Sequence, residues 1–184
     1  VLINHGLTPQ EIFFYRFLIA YIGIWAISPK HLFADNLKDE LWLVAGGVFG
    51  GSLYFFTENT ALGITQASNV AFIICTAPLL TTILSLLFYK SEKATKGLIY
   101  GSLLALIGVG LVVFNGSVVL KLSPVGDLLT LLAALSWAFY SLVIKWMTGR
   151  YPTVFITRKI FFYGVLTILP AFLLHPLQPD FDVL

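Results

Sequence analysis

Charged residues are scarce in this sequence: they make up 11% of its 184 residues, whereas a typical soluble domain carries about 25%. Hydrophobic residues account for 58%, and the mean hydropathy is +0.91. A soluble chain of this length could not bury so much apolar surface, because a small domain leaves a large share of its surface outside. The composition therefore excludes an ordinary soluble domain and indicates that lipid is the solvent.

Side chains that carry catalytic or metal chemistry are also few. Cys75 is the sole cysteine, so an internal disulfide is excluded. The three histidines, His5, His31 and His175, lie far apart, and no zinc spacing, nucleophile elbow or phosphate-binding glycine loop is present. A net charge of +2 is too small to favour nucleic acid as a partner. We therefore expect no enzyme activity, no metal and no cofactor.

Long apolar stretches are abundant instead. Each is long enough to cross a hydrocarbon core of ~30 Å as a helix of roughly 20 residues. Barrel strands would be shorter and would alternate in polarity. The sequence therefore predicts an all-α membrane protein, a polytopic bundle of transmembrane helices. The predicted spans cover residues 11–29, 41–63, 69–89, 97–115, 126–147 and 153–174.

The basic residues are divided unequally between the two sides of these spans. One side has Lys121 alone, and Arg16 lies within the first span. Because lysine and arginine concentrate on the cytoplasmic side, the richer side is predicted to be cytoplasmic. Both visible chain ends are then outside, and the protein is expected in the cell (inner) membrane as a multi-pass protein. The richer side holds Lys30, Lys38, Lys90, Lys93, Lys96, Lys145, Arg150, Arg158 and Lys159.

A weak internal repeat appears when the chain is shifted by about 143 residues. "GLTPQEIFFYR" then lies over "GRYPTVFITRK", a similarity that coincidence could also produce. The paired helices are separated by an odd number of spans, so the two copies would point in opposite directions. Inverted repeats are typical of transporters, with the substrate site between the halves near the midplane. The matches pair Gly6 with Gly149, Pro9 with Pro152, and Arg16 with Lys159.

Three longer segments follow one another in an order that is typical of a known family. The first is "TPQEIFFYRFLIA". The second is "TENTALGITQASNVAFIICTAPLLTTILSLLFYKSEKATKGLIYGSLLALIGVGLVVF", with Pro78 and Glu92. The third is "GDLLTLLAALSWAFYSLVIKW", with Trp137, Tyr140 and Lys145. Together they resemble helices two to seven of the EamA-type permeases, a branch of the drug/metabolite transporter superfamily.

This resemblance implies a ten-helix fold built from two inverted five-helix repeats. Residues 1–116 would hold most of the first repeat, with four spans, and residues 117–184 the start of the second, with two. The implied function is secondary transport of small metabolites by alternating access, as an exporter of amino-acid-like or other small organic solutes. Expected partners are membrane lipid, a small-molecule metabolite, protons as the coupling ion and a second copy in a homodimer. The alternatives are a non-transporting membrane assembly subunit and an integral membrane enzyme.

Arg16 and Glu58 are the first candidates for the transport pathway. Arg16 shares a helix stripe with small residues, Ala20 and Gly23, and therefore is expected to face protein. Alternatively, its long side chain snorkels to the outer headgroups. Glu58 is the only acid deep within a predicted span, and it serves either proton coupling or amine recognition, or only a structural ion pair. Both residues fall at a similar depth in the outer half, which predicts that they pair.

Other pathway candidates follow from helix geometry. Pro78 should kink its span and free the carbonyl of Ile74. By the repeat, Lys159 would guard the inner entrance as Arg16 guards the outer one, pointing into the bundle while Arg158 points elsewhere. Alternatively, Lys159 is only one of the basic residues on the cytoplasmic side.

"GGVFGG" and the pair Gly97 and Gly101 are predicted to be close-packing seams. Possible cavity-lining residues, which could equally be packing contacts, are Asn59, Asn69, Trp137 and Tyr140.

Overall fold

A computed structural model describes residues 8–29, 32–89, 95–114 and 123–173. Within these ranges the chain is helical and contains no strand, which confirms the all-α class for the described part. The elements are α1 (Pro9–Ile27), α2 (Leu37–Gly47), a π-helical segment (Val48–Ser52), α3 (Leu53–Ile64), α4 (Ala67–Ile74), α5 (Ala77–Phe88), α6 (Lys96–Phe114), α7 (Pro124–Thr148), α8 (Thr153–Ile168) and a 3₁₀ segment (Leu169–Leu173).

Among the described residues, four helical segments are long and apolar enough to cross a membrane: Gln10–Ile27, Ala67–Phe88, Pro124–Thr148 and Thr153–Leu173. They correspond to four of the six predicted spans. The predicted span 41–63 lies on α2, the π-helical segment and α3, and the span 97–115 lies largely on α6. The number of helices in the whole protein and the inverted repeat stay predictions. Outside the described residues lie the predicted boundary at residues 116–117, and His5, Gly6, Lys30, His31, Lys90, Glu92, Lys93, Lys121 and His175.

The helix starts follow from local sequence. Thr8 caps α1: its side chain accepts a hydrogen bond from the Glu11 N–H at 3.3 Å, and the Glu11 carboxylate accepts one from the Thr8 N–H at 2.8 Å. This reciprocal arrangement satisfies backbone donors that the first helical turn leaves unpaired. Asn36 caps α2 in a similar way, accepting from the Asp39 N–H at 2.8 Å. The cap therefore fixes the positions of Asp39 and Glu40, the acidic residues in the first turn of α2.

The span that contains Pro78 is interrupted where the sequence predicts a kink. Helix α4 ends at Ile74 and α5 begins at Ala77, with a turn at residues 75–76. Proline has no N–H to donate to the carbonyl four residues earlier, so the helical ladder is broken there. The Thr76 hydroxyl and N–H both donate to the Ile73 carbonyl, at 2.6 and 2.9 Å, and close the turn.

The chain divides into two compact units, which are described separately. Unit 1 consists of Val1–Phe56 and Val143–Leu184, and unit 2 of Thr57–Leu142. In unit 2, α4 packs on α6, where Gly110 lies against the Phe72 ring. The start of α7 meets the end of α3, since the Ser123 hydroxyl donates to the Ile64 carbonyl at 3.2 Å. The Tyr89 hydroxyl donates to the Leu142 carbonyl at 3.1 Å, which joins the end of α5 to α7.

Unit 1 is built around α8, which packs on α1, α2 and the π-helical segment. Its aromatic core joins α1 to α8: the rings of Phe13 and Phe17 lie 4.0 Å apart, and Phe161 meets Phe17 edge to face at 4.9 Å. Ile168 completes the buried cluster. Aromatic rings bury large apolar areas, so this cluster fixes α1 against α8.

Glycines let α8 approach the helix that begins at α2. A methyl group at Gly47 would lie 2.5 Å from the Tyr163 Cβ and 3.0 Å from the Gly164 backbone nitrogen. One at Gly51 would lie 3.3 Å from the Gly164 Cα. The "GGVFGG" segment is therefore a close-packing seam, as predicted. At Gly97 and Gly101, in contrast, an added methyl group meets nothing within 4 Å, so the described residues form no seam there.

We expect Gly47→Leu to lower the stability of the protein by roughly 1–3 kcal/mol, because the new side chain meets a Cβ and a backbone that cannot move aside cheaply. Thermal unfolding in detergent, together with the yield of monodisperse protein, measures the effect. Gly23→Leu is the matched control, since Gly23 has open space around it on α1. Equal unfolding temperatures for the two variants would contradict the close approach of the helices.

Candidate functional site

Charged side chains gather at one end of unit 1. This end is formed by the last residues of α1, the connection at residues 32–36, the start of α2 and the first half of α8. The predicted orientation places it on the cytoplasmic side. The residues that meet here come from parts of the chain more than 100 residues apart.

Lys159 lies at the centre of this end and is only 4% exposed. Its ammonium group pairs with the Glu40 carboxylate and donates to the Leu32 carbonyl at 3.0 Å and to the Tyr163 hydroxyl at 3.2 Å. The ring centres of Phe33 and Tyr163 each lie 4.8 Å from the nitrogen. A buried ammonium ion is very unfavourable without such partners, so these contacts explain how Lys159 is accommodated.

Glu40 has all its contacts within the same cluster. One carboxylate oxygen accepts from the Ala34 N–H at 2.7 Å, and the other accepts from the Tyr163 hydroxyl and pairs with Lys159. Burial alone would raise the pKa of Glu40, but the hydrogen bonds from Lys159, Tyr163 and Ala34 and the charge of Lys159 outweigh it. The pKa therefore lies below its ordinary value, and the carboxylate stays ionised at neutral pH.

A second network surrounds the neighbouring Asp39, which is also buried. Its carboxylate accepts from the Arg150 guanidinium at 2.9 Å, from the Tyr151 hydroxyl at 3.0 Å and from the Asn36 amide at 2.9 Å. Burial alone would raise the pKa of Asp39, but these hydrogen bonds and the charge of Arg150 bring it below its ordinary value. The network ties the corner between α7 and α8 to the start of α2.

Arg158 ties α8 to α1. It is 2% exposed, its guanidinium donates to the Ser28 carbonyl, and it lies 5.6 Å from the centre of the Phe155 ring. Ser28 caps the end of α1, where carbonyl groups are left without helical partners and attract cations. Lys159 therefore points into the bundle, and Arg158 points to a different partner. Both side chains are buried.

The predicted outer pair is divided between the two units. Arg16, in unit 1, is exposed in this chain, and its guanidinium lies 5.9 Å from the centre of the Phe55 ring. Glu58 and Asn59 are half-buried on α3, in unit 2. The pairing of Arg16 with Glu58 stays a prediction.

The other candidate pathway residues all belong to unit 2. Asn69 is buried on α4, whereas Pro78 is exposed near the start of α5. Trp137 and Tyr140 are neighbours on α7, with ring centres 5.1 Å apart. The structure thus brings Trp137 and Tyr140 together, and the pathway role of these four residues stays a prediction.

Glu40, Asp39 and Tyr163 were not among the candidate residues from the sequence. Asp39 and Glu40 resemble ordinary acidic residues in the first turn of a helix, where they suit the helix dipole. A signal was present for Tyr163, since it follows Lys159 by four residues and therefore shares its helix face. The partner on α2 could not be found this way, because the contact joins distant parts of the sequence.

The fold and this end of unit 1 define a helical multi-pass membrane protein with buried ionic contacts between its helices. Residues 2–114 match the model of the EamA-like transporter family. The match covers more than half of the chain, and the chain belongs to this family.

Curated relatives agree with this assignment. The chain is 33% identical over 138 residues to "Uncharacterized transporter YdfC" of Bacillus subtilis, covering 73% of this chain and 44% of that protein. It is 27% identical over 168 residues to an "Uncharacterized transporter" of Archaeoglobus fulgidus, covering 89% and 57%. A protein of Clostridium kluyveri with the same description is 25% identical over 174 residues, covering 89% and 55%. The chain spans about half the length of these relatives. No solved structure matches it.

The Asp39 network predicts a pH dependence. Because the pKa of Asp39 in the folded protein lies below its ordinary value of 3.8, its stabilising contribution is complete above that value and disappears as pH falls through the lower folded pKa. We expect wild type to be more stable than Asp39→Asn at neutral pH, with the difference shrinking below about pH 4. Thermal unfolding at a series of pH values measures it, with Asp35→Asn as the exposed control. A difference that does not change with pH would contradict the network.

Proposed function

We propose that the protein containing this chain is a secondary transporter that exports small organic solutes, amino-acid-like compounds among them. It would work by alternating access in the cell (inner) membrane. The observation that carries the proposal is the match of residues 2–114 to a transporter family. The names of the curated relatives, all of which are transporters, support the same class.

The interrupted span of unit 2 supports a solute pathway. Transporters place their sites beside broken membrane helices, whose free backbone groups face a cavity and bind polar solutes. Ala67–Phe88 has the length and hydropathy of a membrane span, and it is broken at residues 75–76, before Pro78. Asn69 is buried one and a half turns before this break. In this proposal, the backbone at the break and the Asn69 amide contact the solute.

The remaining candidates have separate parts in the proposed pathway. Glu58, half-buried on α3, exchanges the coupling proton or binds the amine of a solute. Arg16 and Lys159 act at opposite entrances. Asn59, Trp137 and Tyr140 line the solute pathway, and a homodimer is the proposed assembly.

The test first compares the metabolites released by cells with and without the gene. Compounds whose release changes are then assayed for transport in proteoliposomes that contain the full-length protein. We expect export to require the gene. We expect Asn69→Leu and Glu58→Gln to reduce transport about tenfold or more, equal to about 1.4 kcal/mol. Asp35→Asn, at an exposed position, is the control and should transport normally. Unchanged metabolite release and no counterflow with any affected compound would overturn the proposal, and would favour a non-transporting assembly subunit.

A further inference from the structure

We propose that Glu40 and Lys159 form a latch that closes the cytoplasmic end of unit 1 and separates each time this end opens. Glu40 is the acidic partner of Lys159 in the structure. The inference rests on the proposed transport function and identifies the contact that controls access at one entrance.

The latch adds a charged contact at the place where the start of α2 and its preceding connection meet α8. The Lys159 ammonium reaches from α8 to the Glu40 carboxylate on α2 and to the Leu32 carbonyl in the preceding connection. The Glu40 carboxylate in turn accepts from the Ala34 N–H. Separation of this ion pair therefore removes the charged contact of Glu40 with α8, while the contacts of Asp39 with Arg150 and Tyr151 still attach the start of α2.

Glu40 and Lys159 differ in the contacts that each keeps after the ion pair separates. The Glu40 side chain is 15% exposed, so a small movement of α2 takes its carboxylate into water. The Lys159 side chain is almost completely buried, but Tyr163 and Phe162 belong to α8 and stay beside it. Cation–π contacts and a hydroxyl partner reduce the penalty of a buried ammonium. Glu40 is thus the partner that moves, and Lys159 stays in place.

An apolar layer lies directly beneath the latch. Leu43, one turn further along α2 from Glu40, is completely buried. A methyl group at Gly46 would lie 3.3 Å from the side chain of Ile160, the residue next to Lys159. This layer excludes water only while α2 and α8 stay together, so exposure of Leu43 reports opening of the latch.

The neighbouring ion pair serves as an internal comparison. The Asp39 side chain is 3% exposed, but the Arg150 side chain is 44% exposed at the rim, and Tyr151 and Asn36 still donate to Asp39 when the Arg150 charge is lost. A latch at Glu40 and Lys159 predicts that loss of the buried pair opens this end, whereas loss of the Arg150 charge does not.

The test places a reporter cysteine at Leu43 in a Cys75→Ser background of the full-length protein. Labelling by a water-soluble thiol reagent should be slow. Glu40→Gln or Lys159→Gln should each raise the labelling rate about tenfold, which corresponds to about 1.4 kcal/mol in the opening equilibrium. Arg150→Gln and Lys38→Gln should leave the rate unchanged. The exchanged pair, Glu40→Lys with Lys159→Glu, should restore most of the protection.

A second readout covers the case in which Leu43→Cys does not fold. Spin labels at Leu37 and Val154, both exposed in unit 1, should show one narrow distance distribution in wild type. Longer distances should appear in Glu40→Gln. Equal labelling rates at Leu43→Cys and equal spin-label distances for Glu40→Gln and Lys38→Gln would overturn the latch even if the protein transports. Changed distances in a protein that transports nothing would instead overturn its role in a transport cycle.

Discussion

The buried ammonium group of Lys159 imposes the constraint on which the rest of unit 1 depends. A charge in an apolar bundle must have partners, or the helix that carries it cannot pack. The partners come from three places: Glu40 on α2, Tyr163 one turn along α8, and the Leu32 carbonyl in the connection before α2. Together they fix the rotation of α8 about its axis and its position against α2.

This contact is possible only because the helix backbones come close together. At Gly47 and Gly164 the absence of a side chain lets α8 lie against the helix that begins at α2, which brings the Lys159 side chain within reach of Glu40. The aromatic cluster of Phe13, Phe17 and Ile168 fixes α1 on α8. A charged contact at one end and a glycine seam below it thus form a single arrangement.

Features that depend on local sequence could be predicted, and contacts between distant segments could not. Apolar length predicted the all-α class and four spans that the described residues confirm, and the missing N–H of Pro78 predicted the break between α4 and α5. The repeat indicated that Lys159 faces inward, but not that Glu40, 119 positions earlier, would be its partner. The contact of Arg158 could not be predicted, because its partner is the backbone carbonyl of Ser28, which no side-chain pattern reveals.

The most direct test of this account is a double-mutant cycle on unfolding, with Glu40→Gln, Lys159→Gln and both changes together. Each single change leaves one charge unpaired in the bundle and should cost about 3–5 kcal/mol. The double change should cost clearly less than the sum, because it removes both charges at once. Losses that add to within about 0.5 kcal/mol would show that the two side chains do not depend on each other, and would contradict the account.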